Sequence, residues 1–308
     1  MKKFLSALLA LLTLALCACG DTTAISESQT EEAATTEEAT TAATTAEATA
    51  KAEETTGESA DMGPKKYFTL SFDDGITQDA RIIEILKKYG LYCCTFNINT
   101  GLCGADWAWV GQQFNRPDVT HKRYTKKELK SGIYDGFDVA VHTLTHPSLK
   151  NFDNQPDKIV REVEGDADGI EKLTGTRPVG MAWPGGDTEY TEKTVQTVYE
   201  KTSIRYARAV TPTYSFDLPE YFLTWYPTCS ISDAQCLDLA KQFLRAECTS
   251  DMLFYVWGHG YELDLFNSYD KFEQLVKYMA EADDVVCVTN TEFYHLFKDS
   301  IPSWKDGE

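Results

Sequence analysis

Between residues 66 and 298 short apolar runs alternate with amphipathic stretches of helical length, and this rhythm restricts the fold more than any other feature of the chain. Strands are predicted at 67–72, 92–97, 138–142, 181–183, 204–209, 221–225, 253–257 and 285–289. Helices are predicted at 78–89, 126–134, 157–173, 191–201, 233–245, 269–282 and 291–298. Strands separated by helices need crossover connections, which argues for a parallel sheet. About eight strands without a Gly-rich nucleotide fingerprint favour an α/β fold of the (β/α) barrel kind over an open doubly wound sheet. Asp73, Asp74, His142, Trp183, Pro184 and His259 each fall at or just past the end of a predicted strand. In a barrel those ends converge on one face, where catalytic groups collect.

The first 63 residues do not share the rhythm. Lys2 and Lys3 precede an apolar run, and Leu16-Cys17-Ala18-Cys19-Gly20 follows it, the order of a secretory signal. The last five residues resemble a bacterial lipobox, which implies cleavage before Cys19 and lipidation of that residue. Residues 20–63 are rich in Thr, Ala, Glu and Ser, with eleven acidic residues and one Lys (Lys51) from Asp21 onward. Such a segment cannot bury enough apolar surface to offset its ordering entropy, so it is expected to be a disordered linker. The expected organisation is a signal peptide at 1–19, the linker at 20–63 and a catalytic domain at 64–308. The protein is expected on the outer face of a bacterial membrane, held by a lipid anchor, or secreted.

The net charge of −19 excludes nucleic acid as an expected partner, since its phosphates would be repelled. No Gly-x-Ser-x-Gly elbow occurs, which argues against a serine hydrolase. Beyond Cys17 and Cys19 lie Cys93, Cys94, Cys103, Cys229, Cys236, Cys248 and Cys287, without zinc-finger or disulfide-framework spacing. Mostly buried, unpaired thiols are expected, with Cys236–Cys248 the pair considered for a bridge.

Two motifs carry chemistry. Ser71-Phe72-Asp73-Asp74-Gly75 places adjacent carboxylates at a strand end, where they point apart and can take different tasks. His142-Thr143-Leu144-Thr145-His146 leaves an apolar strand with two imidazoles four residues apart. Two imidazoles and one carboxylate make a three-ligand site with an open position, the pattern of catalytic zinc. Co2+, Ni2+ or Mn2+ would also suit these donors.

In the order and spacing of these motifs the chain resembles the polysaccharide deacetylase family with a NodB homology domain (carbohydrate esterase family 4). The resemblance covers roughly residues 65–298 and implies a distorted (β/α) barrel. It further implies a divalent metal held by Asp74, His142 and His146, with Asp73 as general base and His259 as general acid. The segment Met181-Ala182-Trp183-Pro184-Gly185-Gly186 departs from the family pattern: Ala182 stands where many members carry an Arg that orients the base. Arg208 or Arg177 could take over that task, with Arg208 favoured. Trp183, Pro184, Gly185 and Tyr261 are the expected substrate contacts, with the Gly185 N–H as an oxyanion donor by position. The aromatic-rich connection 103–125, with Trp107, Trp109, Phe114 and His121, is expected either to stack on sugar rings or to pack as a satellite cluster.

The expected activity is hydrolytic removal of N-acetyl groups from an amino-sugar polymer of the peptidoglycan or chitin kind, by a monomer. The rivals are an O-acetyl esterase on xylan-type glycan, a hydrolase of non-peptide C–N bonds in small molecules, and a non-catalytic glycan-binding module.

Overall fold

The computed structural model describes residues 63–305. The expected signal peptide, Cys19 and all of the acidic linker before Gly63 therefore lie outside the described residues. Among the described residues ten strands occur in chain order: β1 (Lys66–Asp74), β2 (Cys94–Ile98), β3 (Asp106–Trp107), β4 (His121–Lys122), β5 (Asp138–Val141), β6 (Gly180–Ala182), β7 (Tyr206–Arg208), β8 (Cys229–Ser230), β9 (Met252–Gly258) and β10 (Val285–Cys287). Eight of them build one sheet, ordered β7-β6-β5-β2-β1-β9-β8 with β10 against β1. All its ladders are parallel. β10 pairs with the start of β1 and β2 with its end, so both share one edge of the central strand. The remaining two, β3 and β4, form a small antiparallel hairpin.

All nine residues of β1 are buried, as suits a parallel strand covered on both faces. The sheet is curled into a half-barrel of the NodB type. The chain after β7 helps to close it. Trp225 exchanges backbone hydrogen bonds with Ala207 and Ala209 along the β7 edge, and a few residues later β8 pairs with β9.

The helices are α1 (Asp79–Lys88), α2 (Trp109–Gln113), α3 (Lys126–Leu129), α4 (Pro156–Thr174), α5 (Glu192–Lys201), α6 (Cys236–Arg245), α7 (Gly260–Leu265), α8 (Tyr269–Ala280) and α9 (Asn290–Phe297). α1 turns Ile82, Ile83, Ile85 and Leu86 inward, as its apolar spacing requires. α4 opens on Pro156 and stops at Gly175 in the left-handed region, a start and a stop that both follow from residue type. No helix of the described residues is long and apolar enough to cross a membrane.

Two predicted elements differ from those observed. The helix expected at 126–134 ends at Leu129, because Gly132 takes φ +86°, a conformation in which a helix cannot continue. The strand expected at 221–225 is a single 3-10 turn, Phe222–Thr224, followed by β8. Pro219 and Pro227 bracket that run and lack the N–H groups a ladder uses.

Short strands leave little room for added atoms. A methyl group at Gly180 on β6 would lie 1.7 Å from Cζ of Tyr206. That ring is fully buried, and its hydroxyl is 2.9 Å from Thr291 Oγ1, so it is held at both ends. Gly180→Ala is expected to destabilise the fold by about 1–3 kcal/mol. Thermal unfolding of the variant checks this, and an unchanged midpoint would mean that the Tyr206 ring moves freely.

Candidate metal centre and active site

Asp73 and Asp74 close β1, and both are almost fully buried. The backbone turns at Asp74 (φ +81°), which sends the two side chains in different directions. Asp73 Oδ1 accepts from Asn97 Nδ2 at 2.9 Å, and Asp73 Oδ2 accepts from Arg208 Nη2. Arg208 is fully buried, with its guanidinium carbon 4.4 Å from the centre of the Trp257 ring. Burial pushes the Asp73 carboxyl up, but Arg208, His142 and His259 more than offset it and hold it below the usual carboxylate value. Arg177 lies elsewhere, in ion pairs with Glu164, Asp168 and Glu171 on α4.

His142 follows β5 directly. Its Nδ1 lies 2.9 Å from the Ala182 carbonyl, which can only accept, so Nδ1 carries the proton and Nε2 presents its lone pair. Nε2 is buried without a hydrogen-bond partner, 4.0 Å from Asp74 Oδ1. The His142 backbone N–H donates to Asp166 Oδ2 at 3.0 Å, a buried support from α4 that sequence reasoning missed. His146 sits at φ +57° and brings its Nε2 to 3.9 Å from the same Asp74 oxygen. One ligating atom from each of Asp74, His142 and His146 lies within 4.8 Å of the others.

Burial, followed by the neighbouring His142, pushes His146 down to about 3. Burial also lowers His142. Both rings are therefore neutral at pH 7, the form in which imidazole ligates a metal. The orphaned Nε2 and the nitrogen–nitrogen–oxygen donor set fit a divalent cation such as zinc.

His259 follows β9 and is the N-cap residue of α7, a short helix that was not predicted. Its Nδ1 lies 2.9 Å from Glu262 Oε1, and its ring stacks on Tyr261 with centroids 4.8 Å apart. Nε2 faces the two carboxylates, 4.0 Å from Asp73 Oδ2 and 3.8 Å from Asp74 Oδ2. Burial works against a charged ring here, but Glu262, Asp74 and Asp73 outweigh it and lift His259 to about 9. The imidazole thus carries an extra proton at neutral pH.

The expected substrate contacts fare unevenly. Trp183 is 1% exposed, stacks on Tyr190 and donates its indole N–H to Leu223 O at 2.9 Å. Tyr261 is also 1% exposed. Both rings are packed inside the fold, and Pro184 is buried beside Trp183. Gly185 is half-buried.

The connection 103–125 folds as a satellite cluster. Trp109 and Phe114 pack against Ile76, Val110, Val119, Tyr261 and Leu265, while Trp107 stays 37% exposed. It also brings two groups to Asp74: His121, which the sequence placed only among the aromatics of this connection, and Arg123, which it did not single out. All seven cysteines among the described residues are free thiols. Cys236 meets Cys229 rather than Cys248, and Cys93 meets Cys287.

Residues 60–207 match the family model described as polysaccharide deacetylase. A candidate polysaccharide deacetylase from Mycobacterium smegmatis aligns with a TM-score of 0.51 at 12% identity, over 80% of this chain and 96% of that one. The Xyl-CE4 domain of a multidomain xylanase, from the hindgut metagenome of Trinervitermes trinervoides, aligns with a TM-score of 0.47 at 17% identity, over 79% and 95%. A polysaccharide deacetylase from Bacillus cereus aligns with a TM-score of 0.38 at 19% identity, over 51% of this chain and 45% of its own length. No curated protein sequence matches the chain. The family match covers the segment that carries Asp73, Asp74, His142 and His146, and over residues 60–207 the chain is similar to the polysaccharide deacetylase family.

Proposed function

We propose that this chain is a metal-dependent deacetylase that hydrolyses N-acetyl groups on an amino-sugar polymer of the peptidoglycan or chitin kind. The observation that carries the reading is the meeting of Asp74, His142 and His146 within 4.8 Å, beside an Asp73 gripped by Arg208. Zinc is the first candidate for the metal. When bound, the metal supplies Lewis acidity, acidifying water and polarising the acetyl carbonyl.

The protein's own groups divide the proton work. Asp73, ionised and held at both oxygens, takes the proton of the attacking water. His259 holds a proton at Nε2, with Nδ1 tied to Glu262, and delivers it to the departing nitrogen. Amine nitrogen leaves poorly unless protonated, whereas an ester oxygen needs less help. A His259 lifted to about 9 therefore favours the amide over the ester substrate. A glycan-binding module would have no use for an ionised base opposite a protonated acid. The lipobox-like run ending at Cys19 supports an exported, membrane-tethered setting for this activity.

Metal-loaded protein is expected to release acetate faster from N-acetylated amino-sugar oligomers than from acetylated xylan, and a strong chelator should abolish the release. The reverse preference would favour the esterase. No acetate from either, with glycan affinity retained, would identify a binder.

His259→Ala is expected to lower kcat by about 10²–10⁴-fold while metal content stays unchanged. Wild-type turnover in that variant would remove His259 from the mechanism.

The pH profile separates the two halves of the site. Activity needs His259 protonated, so it should fall as pH rises through about 9. Glu262→Gln removes the partner that raises this value, and the alkaline limb should move to lower pH. Arg208 lowers the Asp73 carboxyl, so Arg208→Met should move the acid limb to higher pH. Limbs that stay in place in both variants would contradict these assignments.

A further inference from the structure

The hairpin of β3 and β4 is fastened to the turn that follows Asp74. Thr77 N donates to Lys122 O at 2.8 Å, and Tyr124 N donates to Gly75 O at 3.0 Å. These bonds carry His121 and Arg123 onto Asp74, one at each oxygen. His121 Nε2 lies 2.8 Å from Oδ2, and Arg123 Nη2 donates to Oδ1 at 2.7 Å. Both side chains are about 2% exposed or less. Arg123 is held further by Trp107, whose ring centre is 4.5 Å from the guanidinium carbon, and by Asn99 Oδ1 at 3.4 Å.

The two oxygens are not equivalent. The indole N–H of Trp109 can only donate, and it lies 3.3 Å from His121 Nδ1. Nδ1 therefore accepts, Nε2 carries the proton, and His121 is a donor to Oδ2. Oδ1 is the oxygen that faces both metal-ligand histidines, 4.0 Å from His142 Nε2 and 3.9 Å from His146 Nε2. The guanidinium of Arg123 is aimed at that same atom.

Resting on the metal-dependent reading above, we infer that His121 and Arg123 are positioning residues for the metal with opposite effects on its affinity. His121 fixes the Asp74 carboxylate so that Oδ1 is turned to the histidines, as outer partners of metal ligands commonly do. Arg123 opposes the metal: it shares the lone pairs of Oδ1 and sets a positive charge beside an incoming dication. The result is a preformed site whose metal is held loosely enough to exchange.

Calorimetric titration of the full chain with Co2+ and Zn2+ alone tests this without any turnover assay. Arg123→Gln is expected to tighten binding by roughly tenfold. His121→Phe is expected to weaken it by about 10–100-fold. His121→Gln, which keeps an N–H donor toward Oδ2, should recover most of that loss. Arg123→Met serves as a second neutral variant that keeps the stem against Trp107, and circular dichroism verifies that each variant is folded. Unchanged or weaker binding in both folded Arg123 variants would overturn the opposing role of Arg123. Unchanged binding in His121→Phe would overturn the fixing role of His121. If the wild type took up neither metal, the metal-dependent reading itself would fail, a result separate from any difference among variants.

Discussion

Asp73 and Asp74 are adjacent, ionisable and buried, and a pair of carboxylates in that position loses its hydration while each repels the other. The arrangement around them follows from that constraint. The turn at Asp74 separates the side chains, and each then meets its own guanidinium: Arg208 for Asp73 and Arg123 for Asp74. The two cations arrive from different parts of the fold, one from the sheet and one from the small hairpin. Because each carboxylate is compensated separately, one can be a ligand and the other a base on the proposed roles. A single shared cation would tie their protonation together.

The register of the sheet explains how Asp73, the proposed base, keeps an Arg although Ala182 stands at the motif position where the resemblance leads one to expect it. Ala182 on β6 pairs directly with Arg208 on β7, so the guanidinium enters from the neighbouring strand at the same level. Sequence reasoning could name Arg208 and Arg177 as candidates, because both are basic and both lie near the altered motif. It favoured Arg208, which lies on the next predicted strand, without a contact to fix the choice. One falls opposite Ala182 and is sealed in the core, while the other is held by three acidic side chains of α4, and only the pairing decides which.

The parts legible beforehand were those written in strand periodicity and motif order. β1, β5 and β9, with the polar residues at their ends, follow from apolar runs of the right length. Other parts carried no such signal. β3 and β4 have two residues each, too few for an alternation to show, and so Arg123 did not stand out in the aromatic-rich connection. Helix α7 has six residues and follows a strand without a break, so its apolar spacing merges with that of β9. The burial of the expected aromatic contacts has a different origin. Trp183 and Tyr261 stand beside motif residues, which suggests a sugar platform, yet large rings next to a strand end contribute more by filling the core. Trp183 even spends its one N–H on an internal carbonyl.

The two halves of the proposed proton chemistry depend on the fold to different degrees. His259 and Glu262 are three residues apart at the start of one helix, so a single local turn sets their hydrogen bond. Asp73 and Arg208 are 135 residues apart and meet only because β1 and β7 belong to one curled sheet. The candidate metal-ligand triad is intermediate, joining the end of β1 to one strand-and-turn segment at His142 and His146. A change that loosens the sheet near β7, where the ladder is three residues long, would therefore disturb the base before the acid. On the proposed roles, such a change would leave a protonated His259 and a competent metal triad in place while the proton acceptor drifted. The rate would then be governed by strand register rather than by the identity of the catalytic side chains.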